Sequence, residues 1–395
     1  MKRGLSVLLT LALTASMMAG CGSNTGSSGA GTSGGTASAE GGGAAAFKIG
    51  SIGPTTGGAA IYGKAVMNAA QIAVDEINAA GGVGGYPIEY KFEDDQHDTE
   101  KSVNAYNSLK DWGMQLLMGT VTTNPCVAVV EKTGADGMFQ LTPSASSTDV
   151  IDNTNVFQVC FTDPNQGTAS ARYIAENQLA KKVAVIYDSS DVYSSGIEAN
   201  FVEEAERQGL EVVAVEAFTA DSKTDFSTQL QSAQSAGAEL IFLPIYYGEA
   251  SIILNQAQGM DFKFFGCDGL DGILGVENFD TALAEGVMLL TPFAADAEDA
   301  ATQAFVKKYQ EAYGEVPNQF AANAYDAIYI IKAAIEESGA TPDMSVQDLC
   351  AALSGAMTTI KVDGLTSEGM TWKETGEVNK DPKAVVIQDG KYVGM

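Results

Sequence analysis

Residues 47–82 read FKIGSIGPTTGGAAIYGKAVMNAAQIAVDEINAAGG. FKIGSI is a short run that can be a buried strand, and GPTTGGAAIYG is a glycine-rich turn. In KAVMNAAQIAVDEINAAGG, the residues Val66, Ala70, Ala73 and Ile77 recur at the 4-3-4 spacing of one helical face. Lys64, Asn68, Gln71 and Asp75 take the other face, and Gly81 and Gly82 stop the helix. The unit is strand, open turn, helix. Its turn brings backbone N–H groups and the hydroxyls of Thr55 and Thr56 to the carboxyl end of a strand. In open α/β sheets that is where ligands bind.

The unit returns at residue 182 as KVAVIYD, SSDVYSSG and IEANFVEEAERQG, which read as strand, turn and helix. Tyr62-Gly63 precedes the first helix, and Tyr193 to Gly196 precede the second. Any α/β chain repeats strand-turn-helix, but the shared aromatic-small pair favours two similar lobes with facing turns. From Phe47 onward there are 395 − 46 = 349 residues, large for one core and comfortable for two.

Residues 1–21 read MKRGLSVLLTLALTASMMAGC. Lys2 and Arg3 precede an apolar run, Leu5 to Leu13, that is too short to span a bilayer. The segment reads as an export signal. Met18-Ala19-Gly20-Cys21 resembles the bacterial lipoprotein signal, in which the cysteine is lipidated. Residues 22–46 are Gly, Ser, Thr and Ala apart from Asn24 and Glu40, the composition of a flexible tether. A domain anchored at the extracellular face of the cell membrane is expected.

The formal charge is −28 for the whole chain. Loss of Lys2 and Arg3 with the signal makes it −30. That balance disfavours nucleic acid and anionic membrane surfaces as partners. Cys126, Cys160, Cys267 and Cys350 form no CxxC or metal-ligand spacing, and whether any of them pair is open. His97 is the only histidine, so serine–histidine triads and multi-histidine zinc sites are excluded. No GK[ST] follows the glycines and GGVGGY is not the GxGxxG fingerprint, so no phosphate-binding loop and no cofactor is expected. The acids from Glu93 to Glu100 lack the glycine of a calcium loop and read as a loop and helix start.

Two further strands end in hydroxyl-rich turns. QLLMG leads to Thr120, Val121, Thr122, Thr123 and Asn124, and GMFQLT leads to Ser144, Ser146, Ser147 and Thr148. Either turn alone reads as helix capping. Together, beside GPTTGG, they read as a cradle for an anion or carboxylate. In the second half ELIFLPIYY ends in Tyr246 and Tyr247, and KFFGCDGL ends in Asp268. A carboxylate there is an ammonium partner, a cap or a turn residue, and position alone favours the cap or turn. Phe320 opens the helix NQFAANAYDAIYIIKAAIEESG, whose core face is Ala324, Ala327, Ile328 and Ile331.

GPTTGGAAIYG, the spacing from Gly119 to Thr142-Pro143-Ser144, the FFGCDG strand end and the NAYDA helix together resemble the leucine/isoleucine/valine-binding family. These are substrate-binding receptors of branched-chain amino-acid ABC transporters. The resemblance covers residues 47–395 and implies the type I periplasmic-binding fold: two doubly wound α/β lobes with a hinge. It implies crossings near Thr162, Thr291 and Leu365, so that residues 47–162 with 292–365 form lobe 1 and 163–291 with 366–395 form lobe 2.

The resemblance also implies a pocket. Thr123, Ser144 and Ser146 match positions that hold the α-carboxylate and share the ammonium, Ser144 through its backbone. Asp268 matches the ammonium partner, commonly glutamate in these receptors. Tyr193 and Tyr246 match second-lobe contacts, and Tyr62, Val121 and Phe320 match the side-chain pocket. Some members carry a disulfide where this chain has His97 and Thr122. The implied partners are an amino acid and the transporter's permease subunits, with the receptor a monomer and not an enzyme.

Three other readings compete. One is the same fold binding an amide, urea or aromatic acid, against which Asp268 argues. Another is a hydrolase using Asp94 and Asp95, but adjacent acids on a strand point to opposite faces. The third is a ligand-sensing receptor, for which no kinase, methyl-accepting or transmembrane segment follows Met395.

Overall fold

The computed structural model describes residues 45–395. The lipidation site expected at Cys21, the export signal and nearly all of the tether lie outside the described residues. The first sheet holds β1 (Phe47–Gly53), β2 (Ile88–Asp94), β3 (Leu116–Gly119), β4 (Gln140–Thr142) and β5 (Val156–Gln158). All its pairings are parallel, in the order β2-β1-β3-β4-β5. The connecting helices are α1 (Ala60–Ala79), α2 (Thr99–Trp112) and α3 (Thr123–Asp136).

α4 (Asp163–Glu176) leads into the second sheet. Its strands are β6 (Lys182–Asp188), β7 (Glu211–Phe218), β8 (Leu240–Leu243), β9 (Lys263–Gly266) and β10 (Met288–Thr291), with α5 (Val192–Gln208), α6 (Ser227–Ser235) and α7 (Tyr247–Gln256) between them. These strands run parallel in the order β7-β6-β8-β9-β10, the same 2-1-3-4-5 winding as the first sheet. The repeat seen in the sequence is therefore a repeat of topology. α8 (Ala300–Tyr313), α9 (Gln319–Ser338) and α10 (Val346–Met357) follow, and β11 (Lys383–Gln388) and β12 (Lys391–Gly394) complete the second sheet as an antiparallel edge.

Periodicity explains the packing. Val66, Ala70, Ala73 and Ile77 of α1 are buried, as are Ala324, Ala327, Ile328 and Ile331 of α9. The two helices share the core of the first lobe. Each fully buried Val or Ile contributes roughly 1.5–3 kcal/mol relative to exposure.

Three details depart from the sequence reading. α1 starts at Ala60 rather than at Lys64, which puts Tyr62 and Gly63 on its first turn. Gly63 has a packing reason, since a Cβ there would sit 1.9 Å from Pro54 O. α5 starts at Val192 because Asp191 caps it, Oδ1 accepting from Tyr193 N at 2.9 Å, so Tyr193 is helical. The third crossing comes later than Leu365. Trp372 Nε1 donates to Gln158 O at 2.7 Å and Gln158 N to Gly376 O at 3.0 Å, which holds this segment on the edge of the first sheet before β11 enters the second.

Candidate functional site

In a 2-1-3-4-5 sheet the strand order reverses between the first and third strands, and the crevice lies beyond their carboxyl ends. Here that describes the turns after β1 and β3 in one lobe and after β6 and β8 in the other. These turns face one another across one cavity, lined by Tyr62, Val121, Thr122, Thr123, Ser144, Tyr193, Tyr246, Asp268, Gly269 and Phe320. Eight of the nine residues expected at the site line it. The ninth, Ser146, lies behind Thr123, with its backbone N–H donating to Thr123 Oγ1 at 3.3 Å.

The first lobe supplies donors. Most helices are capped by a side chain, among them α2 by Asp98, α4 by Thr162, α8 by Asp299 and α10 by Ser345. α3 is not: the hydroxyl of its N-cap, Thr122, is 2.9 Å from His97 Nδ1 instead. The first N–H groups of α3 therefore meet the cavity without a side-chain partner, where the positive end of the helix dipole favours an anion. Thr123 accepts from Ser146 N, leaving its own O–H proton to donate. Ser144 Oγ donates to Val121 O at 2.6 Å, which turns its hydroxyl away, and its backbone N–H makes only a long hydrogen bond, to Thr142 Oγ1 at 3.4 Å. Ser146 Oγ is buried without a hydrogen-bond partner.

The second lobe supplies an acceptor. Asp268 directly follows β9 and Cys267, and it is buried. Tyr193 Oη donates to its Oδ1 at 2.8 Å, and its backbone N–H donates to Gln166 Oε1 at 3.3 Å. Burial pushes its carboxyl up to about 6, against the hydrogen bonds from Tyr193, Gln166 and Gln319 that favour the charged form. Asp163, at the start of α4, is also buried, and neither of its carboxylate oxygens has a hydrogen-bond partner. Burial, with Asp268 and Asp191 nearby, holds its carboxyl well above the usual carboxylate range.

Aromatic rings make the wall. Tyr62 and Phe320 stand 4.1 Å apart between centroids, and Tyr193 stacks on Tyr246 at 5.1 Å. Tyr62 also joins the lobes: Oη donates to Gly269 O and accepts from Tyr247 N at 3.2 Å. Asn124 does the same at the other rim, its side chain accepting from Val192 N at 3.0 Å. The arrangement can hold a small solute that is negative at one end, positive at the other and apolar between.

Sequence reasoning missed several participants. Thr55 and Thr56 do not serve the cavity. Their backbone N–H groups and the Thr56 hydroxyl all go to the Asp94 carboxylate, which pins the glycine turn. Gln166 and Gln319 both hold Asp268. They lie about 50–100 residues from it in sequence, and no local pattern marks them. His97 lies between the lobes, its ring packed edge-on against Tyr246.

The comparisons with known proteins agree with this geometry. The Leu/Ile/Val-binding protein homolog 3 of Brucella melitensis is 31% identical over 357 residues, covering 88% of this chain and 93% of that one. The substrate-binding protein LivJ of a branched-chain amino acid transporter from Streptococcus pneumoniae, solved with isoleucine, is 29% identical. It covers 88% of this chain and 97% of its own, with a TM-score of 0.80. The leucine-binding protein LivK of Thermotoga maritima is 25% identical, covering 88% of this chain and 97% of its own, with a TM-score of 0.78. A family model for periplasmic binding proteins matches residues 46–391. With two 2-1-3-4-5 lobes facing across a polar, aromatic-walled cleft, the chain belongs to the periplasmic binding protein family.

Proposed function

We propose that this protein captures an α-amino acid with an aliphatic side chain (leucine, isoleucine or valine) outside the cytoplasm and delivers it to the permease of an ABC importer. One observation carries the reading. A buried acid, Asp268, faces an uncapped helix N-terminus and the Thr123 hydroxyl across an aromatic-walled cleft. A zwitterion needs those three things: donors for its carboxylate, an acceptor for its ammonium and an apolar wall for its side chain. The printed names of the Brucella, Streptococcus and Thermotoga relatives support the same ligand class.

In this reading Thr123 and the Ser144 backbone bind the carboxylate end, Ser146 orients Thr123 from behind, and Asp268 pairs with the ammonium. Tyr193 and Tyr246 close the site from lobe 2, and Tyr62, Val121 and Phe320 meet the ligand side chain. The donors and the acid come from different lobes, so closure completes the site. Residues 47–162 with 292–365 form lobe 1 and 163–291 with 366–395 form lobe 2, except that residues 366–380 move with lobe 1. Cys21 carries a lipid and residues 22–46 tether a monomer to the membrane.

The test is a thermal-shift and calorimetric screen of the mature protein against the standard amino acids, with benzoate as a carboxylate that has no ammonium. A ligand at 100 times its dissociation constant adds ~2.7 kcal/mol of stability. Leucine, isoleucine or valine should give the largest shift. Silence from all three, or tighter binding of benzoate, would sink the assignment.

A further inference from the structure

Besides the cavity wall, the lobes meet through a pair that lines no part of the cavity. Gln319 is the first residue of α9, following its N-cap Asn318, whose side chain accepts from Ala321 N at 3.1 Å. The backbone N–H of Gln319 donates to Asp271 Oδ2 at 2.8 Å, and its side-chain Nε2 donates to Asp268 O at 3.0 Å. Both Gln319 and Asp271 are buried. α9 belongs to the first lobe, where it packs along α1. Asp271 belongs to the second. It follows β9, and the next residue, Gly272, donates its backbone N–H to Tyr392 Oη of β12 at 2.9 Å.

A carboxylate of one lobe therefore sits on the N-terminus of a helix of the other. The first N–H groups of a helix have no intrahelical partner, and the helix dipole favours an acidic acceptor there. The Asn318 side chain serves Ala321 N, so the Gln319 N–H takes its partner from across the cleft. This contact exists only when the lobes are together. Neither member is among the residues that line the cavity.

We propose that Asp271 and the N-terminus of α9 form an interlobe latch, which positions the lobes in the closed arrangement and sets how long a bound solute stays, without touching it. The same two strokes of chain hold the site: Gln319 fixes the Asp268 carbonyl while its backbone holds Asp271 three residues on. These are positioning residues. The latch deepens the solute-capture reading above, but it is a property of the lobes and is testable on ligand-free protein.

Three variants isolate it. Asp271→Asn keeps the shape and weakens the acceptor. Gln319→Ala keeps the backbone N–H and loses the side chain. Gln319→Pro loses both, and proline is well tolerated at the first helical position because its missing N–H is not needed within the helix. Lobe separation is read by electron–electron distance measurements between spin labels at Glu100→Cys and Asp221→Cys, both exposed and in different lobes. Dissociation is read by stopped flow with isoleucine as the probe.

Asp271→Asn and Gln319→Pro should each shift the ligand-free distances to longer values and speed isoleucine dissociation about tenfold or more. Gln319→Ala should do less than Gln319→Pro. Combining Asp271→Asn with Gln319→Pro should add little to Gln319→Pro alone, since the contact that the two share is lost once. The ranking of leucine, isoleucine and valine should be unchanged. Variants that match the wild type in both distance distribution and dissociation rate overturn the latch. If isoleucine fails to bind the wild type, the ligand assignment falls, and the ligand-free distances alone still decide the latch.

Discussion

The Tyr193 hydroxyl donates to Asp268 Oδ1 over 2.8 Å, and both side chains are buried. Tyrosine brings a hydrogen bond but no positive charge. Asp268 is thus oriented without being neutralised, and among the described residues no lysine, arginine or histidine forms an ion pair with it. In the proposed function its counter-charge is the solute's ammonium.

Asp268→Asn should cost roughly 100-fold or more in affinity for the best amino acid. The ammonium would be left desolvated and unpaired, a penalty of roughly 3–5 kcal/mol, and each 1.4 kcal/mol is tenfold. The ligand-free melting temperature should not fall, because an acid pushed up to about 6 by burial is itself costly to keep charged. Titration calorimetry beside melting curves reads both. Wild-type affinity in the variant would reduce Asp268 to a turn residue.

Affinity and ligand-free stability should respond to pH in opposite directions. A proton on Asp268 competes with the ammonium, so affinity should be level above neutrality and fall by up to tenfold per unit below about 6. Burial also raises Asp95 and Asp271 to about 7 and Asp191 to about 6. The folded state takes up these protons before the unfolded chain, whose carboxyls titrate near 3.8. Stability from these groups is therefore gained as pH falls from about 7 towards 4. His97 acts in the opposite sense, since burial holds its imidazole down at about 4 and stability is lost as pH falls below 6.5. Four acids outweigh one imidazole, so the ligand-free melting temperature should be higher at pH 5.5 than at pH 7.5. Scanning calorimetry at both values checks the sign.

Tyr62→Phe should loosen closure. Removing the hydroxyl strands Gly269 O and Tyr247 N, both in the second lobe, whenever the lobes meet. An unsatisfied buried group costs roughly 1–3 kcal/mol. The expected loss is about 10-fold in affinity, with the melting temperature of the ligand-free protein nearly unchanged. An equal fall in both would mean that Tyr62 serves folding alone.

Phe320→Ala should change which side chain is preferred. Its ring packs 4.1 Å from that of Tyr62, and it faces the cavity. Truncation opens room beside the ligand side chain without touching Thr123 or Asp268. A ligand panel should show larger side chains, such as phenylalanine, gaining relative to valine. An unchanged ranking would place Phe320 outside the side-chain pocket.

Cys21→Ser should release the protein from membranes or leave its signal uncut. Fractionation with mass measurement of the N-terminus decides this. A variant that stays membrane-bound and is processed at the same bond would remove the lipid-anchor reading.

How far the sequence was legible depends on the range of each interaction. The core faces of α1 and α9 repeat every three to four residues, so Val66, Ala70 and Ile331 declare themselves locally. The strand-end turns carrying Thr123, Ser144, Tyr246 and Asp268 were visible because an apolar run stops there. Their roles were not, and it was the resemblance that assigned them. The starts of α1 and α5 lie a few residues earlier than read, because α1 follows Ala59 with no side-chain cap to mark it and the cap of α5, Asp191, looks equally at home in a turn. The fate of Thr55 and Thr56 was hidden, since it depends on Asp94 in the next strand. The Asp271–Gln319 contact spans 48 residues and two lobes, and no periodicity encodes it.

Cys126, Cys160, Cys267 and Cys350 are all free thiols buried in the protein, and His97 Nδ1 lies 2.9 Å from Thr122 Oγ1. Burial pushes the Cys126 thiol up to about 11, far from the thiolate that exchange chemistry needs. Among the described residues no disulfide holds the fold. Thiol reductants should therefore leave its shape and its melting temperature unchanged, which circular dichroism with and without dithiothreitol checks.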